Sequence, residues 1–134
     1  MLIMAVDLGK ARTGIAACDN GFLAYPVTVV SEKRKEVLLE KVAEEVKKAD
    51  LIVVGLPVNM DGTKGERAEK CTLFAERLKE ETGIDVKMCD ERLTTVSAHR
   101  ILSENNVRGQ KRKNVVDAVS AVMILESYMR QKNS

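Results

Sequence analysis

Aromatic side chains are nearly missing from this chain: two Tyr, two Phe and no Trp among 134 residues. That scarcity excludes a nucleic-acid surface built mainly on base stacking. Histidine occurs once, as His99, and the three cysteines, Cys18, Cys71 and Cys89, form no Cys-x-x-Cys pair. Zinc sites and disulfide frameworks are therefore not expected, and the thiols read as small core residues in a reducing cytosol. Two prolines and no internal repeat argue against long disordered tracts. Nowhere does the chain approach the roughly 18 consecutive apolar residues of a membrane span, and "MLIMAV" meets Asp7 before it could serve as a signal peptide. The expectation is a cytoplasmic protein without a membrane partner. A net charge of +2 carries no overall signal for a polyanion.

What is present suits one globular domain over residues 1–134, with 45% hydrophobic and 31% charged residues. "LIMAV" reads as a strand buried on both faces and ending at Asp7. "RTGIAACD" and "LAYPVTVV" follow as two strands of a meander, bounded by Gly9, Gly14, Gly21 and Pro26. Ser31 is placed as the N-cap of an amphipathic helix carrying Val37, Leu38, Val42, Val46 and Ala49. "LIVVG" is a short buried strand, and a helix over Glu66 to Thr82, with Ala68, Cys71, Ala75 and Leu78 on one face, stops at Gly83. "DVKMC" is the last strand. A third helix starts at Thr95 with Ala98, Ile101 and Leu102, and a final one starts near Asn114 after the loop containing Gly109. The order β-β-β-α-β-α-β-α-α predicts an α/β fold, a mixed five-stranded sheet with helices on its faces. Ligands of such sheets gather where strand ends meet.

Three carboxylates fall toward that region, and each has a structural use. Asp7 precedes a glycine turn and can bond its own backbone there. Glu91 can pair with Arg92. Asp117, inside the apolar "NVVDAVSAVMIL", falls at the third helical position if Asn114 is the cap, where a carboxylate satisfies backbone donors. Crowded together, however, three carboxylates repel unless a cation joins them. Mg²⁺ or Mn²⁺ answers to carboxylate oxygen, and two such ions about 4 Å apart can drive phosphodiester hydrolysis.

The segments "VDLGKARTGIAACD", "GLPVNMDGTKGERA", "DERLTT" and "RGQKRKNVVDAVSAVMILESY" resemble, in order, the four signature blocks of the YqgF (RuvX) family, bacterial Holliday junction resolvase and pre-16S rRNA nuclease proteins. The resemblance covers nearly the whole chain. It implies a ribonuclease H-like fold, with Asp7, Glu91 and Asp117 as the acidic triad around two Mg²⁺ or Mn²⁺ ions. Cys18 stands where the pattern has Ser, and Ser120 where it has Ala; both leave the triad intact.

Arg12, Asn59, Thr63, Lys64, Arg92 and Thr94 sit in the signature segments, where they can contact phosphates; Arg12 and Arg92 can instead pair internally with Asp7, Asp19 or Glu91. Arg108, Lys111, Arg112 and Lys113 form a basic run beside Asp117, readable as a solvated loop or as a phosphate clamp. His99 reads as a surface residue. Gly55, Gly62 and Gly65 do not form a Walker loop, since no Gly-Lys-Ser/Thr follows. The leading expectation is a metal-dependent endonuclease acting on structured RNA, the 5′ extension of pre-16S rRNA. Its alternative is a resolvase of branched DNA, which needs two coordinated cuts and hence a symmetric homodimer. Two other classes are weighed: sugar-kinase and actin-like ATPases, which share an Asp-x-Gly first strand but close two lobes, and a nucleic-acid-binding module without chemistry.

Overall fold

The computed structural model describes residues 1–9, 12–21, 23–57, 65–90 and 109–133, with the side chains of the last helix described from 119 to 131. Five strands, β1 (Ile3–Leu8), β2 (Arg12–Cys18), β3 (Tyr25–Ser31), β4 (Leu51–Leu56) and β5 (Val86–Asp90), form one sheet in the order β3-β2-β1-β4-β5. The meander β1-β2-β3 is antiparallel, while β4 runs parallel to β1 and β5 parallel to β4. This is the mixed sheet expected from the sequence. Three helices are described: α1 (Lys35–Val46), α2 (Glu66–Thr82) and α3 (Gly109–Asn133). The helix expected from Thr95, and with it His99, lies outside the described residues.

Two-residue periodicity decides which side chain enters which layer. Ile3, Ala5, Ala16, Cys18, Leu51, Val53 and Cys89 face α3, where Ala121, Ile124 and Leu125 are fully buried. Their neighbours Met4, Val6, Ile15, Ala17, Ile52 and Val54 face the opposite way, against Leu38, Val42 and Val46 of α1 and Ala75 and Leu78 of α2. Each fully buried Val, Leu or Ile stabilises this arrangement by roughly 1.5–3 kcal/mol relative to exposure. The three cysteines are buried, and none is in a disulfide. The β1/β4 register is set at its start by Asp50, whose carboxylate accepts from the Leu2 N–H at 2.7 Å while its own N–H donates to the Leu2 carbonyl at 2.7 Å.

Because β1, β3, β4 and β5 point the same way, their C-terminal ends share one edge, and the crossovers start α1 and α2 there. At this edge the tight β1–β2 connection needs Gly9, since a Cβ would collide with the Arg12 carbonyl.

Three local expectations give way to longer-range forces. Ser31 does not cap α1; it extends β3, paired with Arg12, and the cap position falls to Arg34, which makes no side-chain cap bond. Ladder pairing satisfies the Ser31 segment better than a single cap would. The last helix begins at Gly109 rather than near Asn114. Gln110, Lys111, Arg112 and Lys113 are good helix formers and lie within the helix, and Asp117 lies about two turns inside α3 instead of at its third position. Asp7, expected to bond the backbone of the turn, instead pairs with Gly14 within β1 and makes no such bond among the described residues.

The α2 terminus fits its expectation closely. Gly83 adopts φ 72° and donates its N–H to the Lys79 carbonyl at 2.8 Å. Nothing crowds the Cβ direction at Gly83, so substitution costs backbone strain alone. Gly83→Ala should lower stability by about 1 kcal/mol, seen as a fall of roughly 3–5 °C in Tm, and Gly83→Asn by much less. Thermal unfolding followed by circular dichroism checks this; equal losses for the two variants would contradict the left-handed cap.

Candidate functional site

Strand β1 is buried through Ile3, Met4, Ala5 and Val6, then becomes half-buried at Asp7. The alternation that turns Ile3 and Ala5 toward α3 turns Asp7 toward the same face. Asp7 pairs with Gly14 of β2. On its other side the register that matches Val6 with Val54 brings Gly55 alongside, and Gly55 pairs with Cys89. The row across the sheet is therefore Gly14, Asp7, Gly55, Cys89. Neither flanking residue carries a side chain, so the adjacent strands place none beside the carboxylate in this row. Among the described residues no hydrogen bond or ion pair engages it. A half-buried carboxylate without a partner among the described residues is costly, and an oxygen donor between two glycines suits a hard, hydrated cation such as Mg²⁺ or Mn²⁺.

Arg12 begins β2 two residues before Gly14, so alternation sets it on the Asp7 face as the diagonal cross-strand neighbour, within reach of a long side chain. The Cys89 thiol at the far end of the row lies 3.7 Å from the Ile124 carbonyl, where α3 crosses β5. Asp117 lies seven residues earlier on that helix, about 10 Å along its axis at 1.5 Å per residue. Its side chain lies outside the described residues. So do those of Lys111, Arg112 and Lys113 in the first turns of α3, and so do Asn59, Thr63, Lys64, Glu91, Arg92, Thr94 and Arg108 entirely. Of the expected site, then, Asp7 and Arg12 are brought together, and α3 carries residue 117. No group of three acidic, His or Cys residues able to hold a metal occurs among the described residues.

The sequence reading passed over the glycines that flank Asp7, whose role depends on strand register. It also passed over a carboxylate at the same edge, Glu32, just past β3. Glu32 accepts from Arg34 Nη2 at 3.0 Å and Nε at 3.4 Å, and Lys41 Nζ stands 3.7 Å away. The hydrogen-bonded Arg34 guanidinium is the main cause holding its carboxyl down at about 2, against an ordinary 4.5. A depressed carboxyl supports the fold above its ordinary value and loses that support as pH falls toward 2. At low salt the Glu32 carboxyl carbon should titrate near pH 2 by NMR, and near 4.5 in Arg34→Ala. An unchanged midpoint would refute the pairing.

No helix among the described residues is long and apolar enough to cross a membrane. A family profile described as RuvX, Holliday junction resolvase, matches residues 1–131. A provisionally named pre-16S rRNA nuclease of Clostridium novyi (strain NT) is 44% identical over 133 residues, covering 96% of this chain and 98% of that protein. A protein of the same name from Bacillus cereus (strain AH187) is 41% identical over 137 residues, covering 98% and 100%. Among solved structures, T. thermophilus RuvC in complex with a Holliday junction substrate aligns over 100% of this chain and 98% of its own, with TM-score 0.65 at 13% identity. That likeness establishes a ribonuclease H-like fold. A hexokinase from Thermus thermophilus aligns with TM-score 0.50 at 21% identity, over only 38% of its length.

Proposed function

This chain belongs to the RuvX family, and from that premise we propose that it is a cytoplasmic, divalent-metal-dependent endonuclease that processes the 5′ end of pre-16S rRNA. The observation that carries the reading is Asp7: half-buried, without a partner among the described residues, and flanked by two glycines on the face that α3 covers. In this reading Asp7, Glu91 and Asp117 hold Mg²⁺ or Mn²⁺, in keeping with their all-oxygen donor set. Glu91 follows β5 directly, two residues after Cys89 on the Asp7 face, and Asp117 lies on the helix that crosses that face. Held by these residues, a pair of divalent ions would supply an activated water and charge compensation for the leaving oxygen.

The remaining roles belong to the chain. Asp7 fixes the site to the central strand of the sheet. Arg12, one diagonal step away, offers a guanidinium fork to a phosphate oxygen. Asn59, Thr63, Lys64, Arg92 and Thr94, from the second and third signature segments, orient the strand in this reading. Arg108, Lys111, Arg112 and Lys113 precede Asp117 and act as a phosphate clamp, helped by the positive end of the α3 dipole. Junction resolution is the competing substrate assignment, and it requires a homodimer with paired sites.

Asp7→Asn should keep the fold by circular dichroism while lowering cleavage of a 5′-extended 16S precursor at least 100-fold, the scale of losing a positioned catalytic group. Mn²⁺ binding measured by calorimetry should weaken in the same variant. Wild-type cleavage by Asp7→Asn would overturn the triad. Cleavage of four-way DNA junctions in preference to the RNA, with a dimer in solution, would reassign the substrate.

A further inference from the structure

Strand β1 sends Asp7 to one face and Leu8 to the other. On the second face, around Leu8 and Gly9, lies a cavity of about 540 Å³ between the start of α1 and one stripe of α2. The stripe is Lys70, Leu73, Phe74 and Arg77, the i, i+3, i+4, i+7 spacing that shares a helix face, next to the buried stripe of Ala68, Cys71, Ala75 and Leu78. Leu73 is 59% exposed, an unusual position for a leucine beside an apolar floor of Leu38, Leu39 and Phe74.

The charge of this cavity is one-sided. Lys33, Lys35, Arg67, Lys70 and Arg77 line it. The lining carboxylate among the described residues, Glu32, is already engaged by Arg34 and Lys41. Lys70 shares its charge with Glu66 at 3.5 Å. Lys33, Lys35, Arg67 and Arg77 make no ion pair among the described residues; Arg67 instead donates to the Leu8 carbonyl at 3.1 Å, which fixes it in place without neutralising it. The N-terminal ends of α1 and α2 open at the same edge, and neither is closed by a side-chain cap. Free helix N–H groups among unpaired cations attract anionic groups.

We propose that this cavity binds a single-stranded segment of the polynucleotide substrate adjoining the bond that is cut. Phosphates lie on Lys33, Lys35, Arg67 and Arg77, and one base lies on the floor formed by Leu73 and Phe74. The inference rests on the nuclease reading for its choice of polynucleotide. Three features favour that occupant over others. The cations call for an anion, the exposed Leu73 calls for an apolar plate, and a nucleotide supplies both. The volume is that of a small-molecule site, which admits an unpaired nucleotide and not a double helix. Finally, Leu8 is the residue after Asp7, so a strand crossing the sheet edge passes from one face to the other within one step of about 3.3 Å of protein backbone. With so few aromatic residues in the chain, base contact here is a single plate, not a stacking platform.

The test is fluorescence anisotropy with a labelled single-stranded oligoribonucleotide of about 12 nucleotides, a length within the usual single-strand site range. It uses the full chain without divalent metal. Lys35→Ala/Arg77→Ala should weaken binding about tenfold and flatten the slope of log affinity against log salt by about 1.4, or 0.7 for each lost phosphate contact. Leu73→Ser, at an exposed position, should weaken it about fivefold with the slope unchanged. Wild-type affinity in the double variant overturns the proposal, as does an equal loss for paired RNA. Displacement of the RNA by an acidic peptide at similar concentration also overturns it, by assigning the cavity to protein. If wild type binds as expected yet cuts no substrate, the nuclease reading fails while the strand site stands.

Discussion

Burial of the central strands on both faces is the constraint on which the other features depend. β1 and β4 have no solvent side: α3 covers one face, and α1 with α2 covers the other. A strand so enclosed assigns every residue to a layer by parity, and a one-residue slip would invert every assignment. Val6, Asp7 and Leu8 therefore cannot trade places. The first belongs to the α1/α2 core, the second to the α3 face, and the third to the floor beside the basic cavity. Placing a polar residue at the end of such a strand is tolerable only because burial is already relaxing there.

The sheet edge that collects the strand ends has an uneven electrical character. Asp7 stands on one side, where glycines keep neighbouring side chains away. Cations crowd the other side, and the acid among them is neutralised by Arg34 and Lys41. An anionic chain laid over this edge would meet repulsion at the bare carboxylate and attraction beyond it. A cation held at Asp7 would remove the repulsion without diminishing the attraction, so the proposed metal loading and strand capture would favour one another.

Much of this could be read from the sequence wherever the signal was local. The α2 helix is a case: its apolar stripe, its length and the Gly83 stop are all contained in the segment itself. The meander and the alternation in β1, β2 and β4 are equally local, and so is Asp7 as a residue of interest. Legibility failed where distant pairing decided. Ser31 carries a good cap signal, but Arg12 across the ladder outweighed it. The α3 boundary was placed too late because lysine and arginine serve both loops and helices, and only docking of the apolar half on the sheet separates the two uses. The glycine flanks of Asp7 and the basic cavity were invisible because they arise from register and from the placing of α1 against α2.

Helix α3 joins two tasks that most enzymes keep apart. It closes one of the two hydrophobic layers, with Ala121, Ile124 and Leu125 taken wholly out of water, and it is also the element that bears Asp117. During vectorial synthesis the layer over Ile3, Ala5, Ala16 and Val53 stays unsealed until this helix has emerged. A nascent chain would thus lack the proposed third ligand for as long as it lacks half its core. Closure of the core and delivery of the proposed third ligand would therefore arrive in one event, and a half-made molecule would hold an incomplete site.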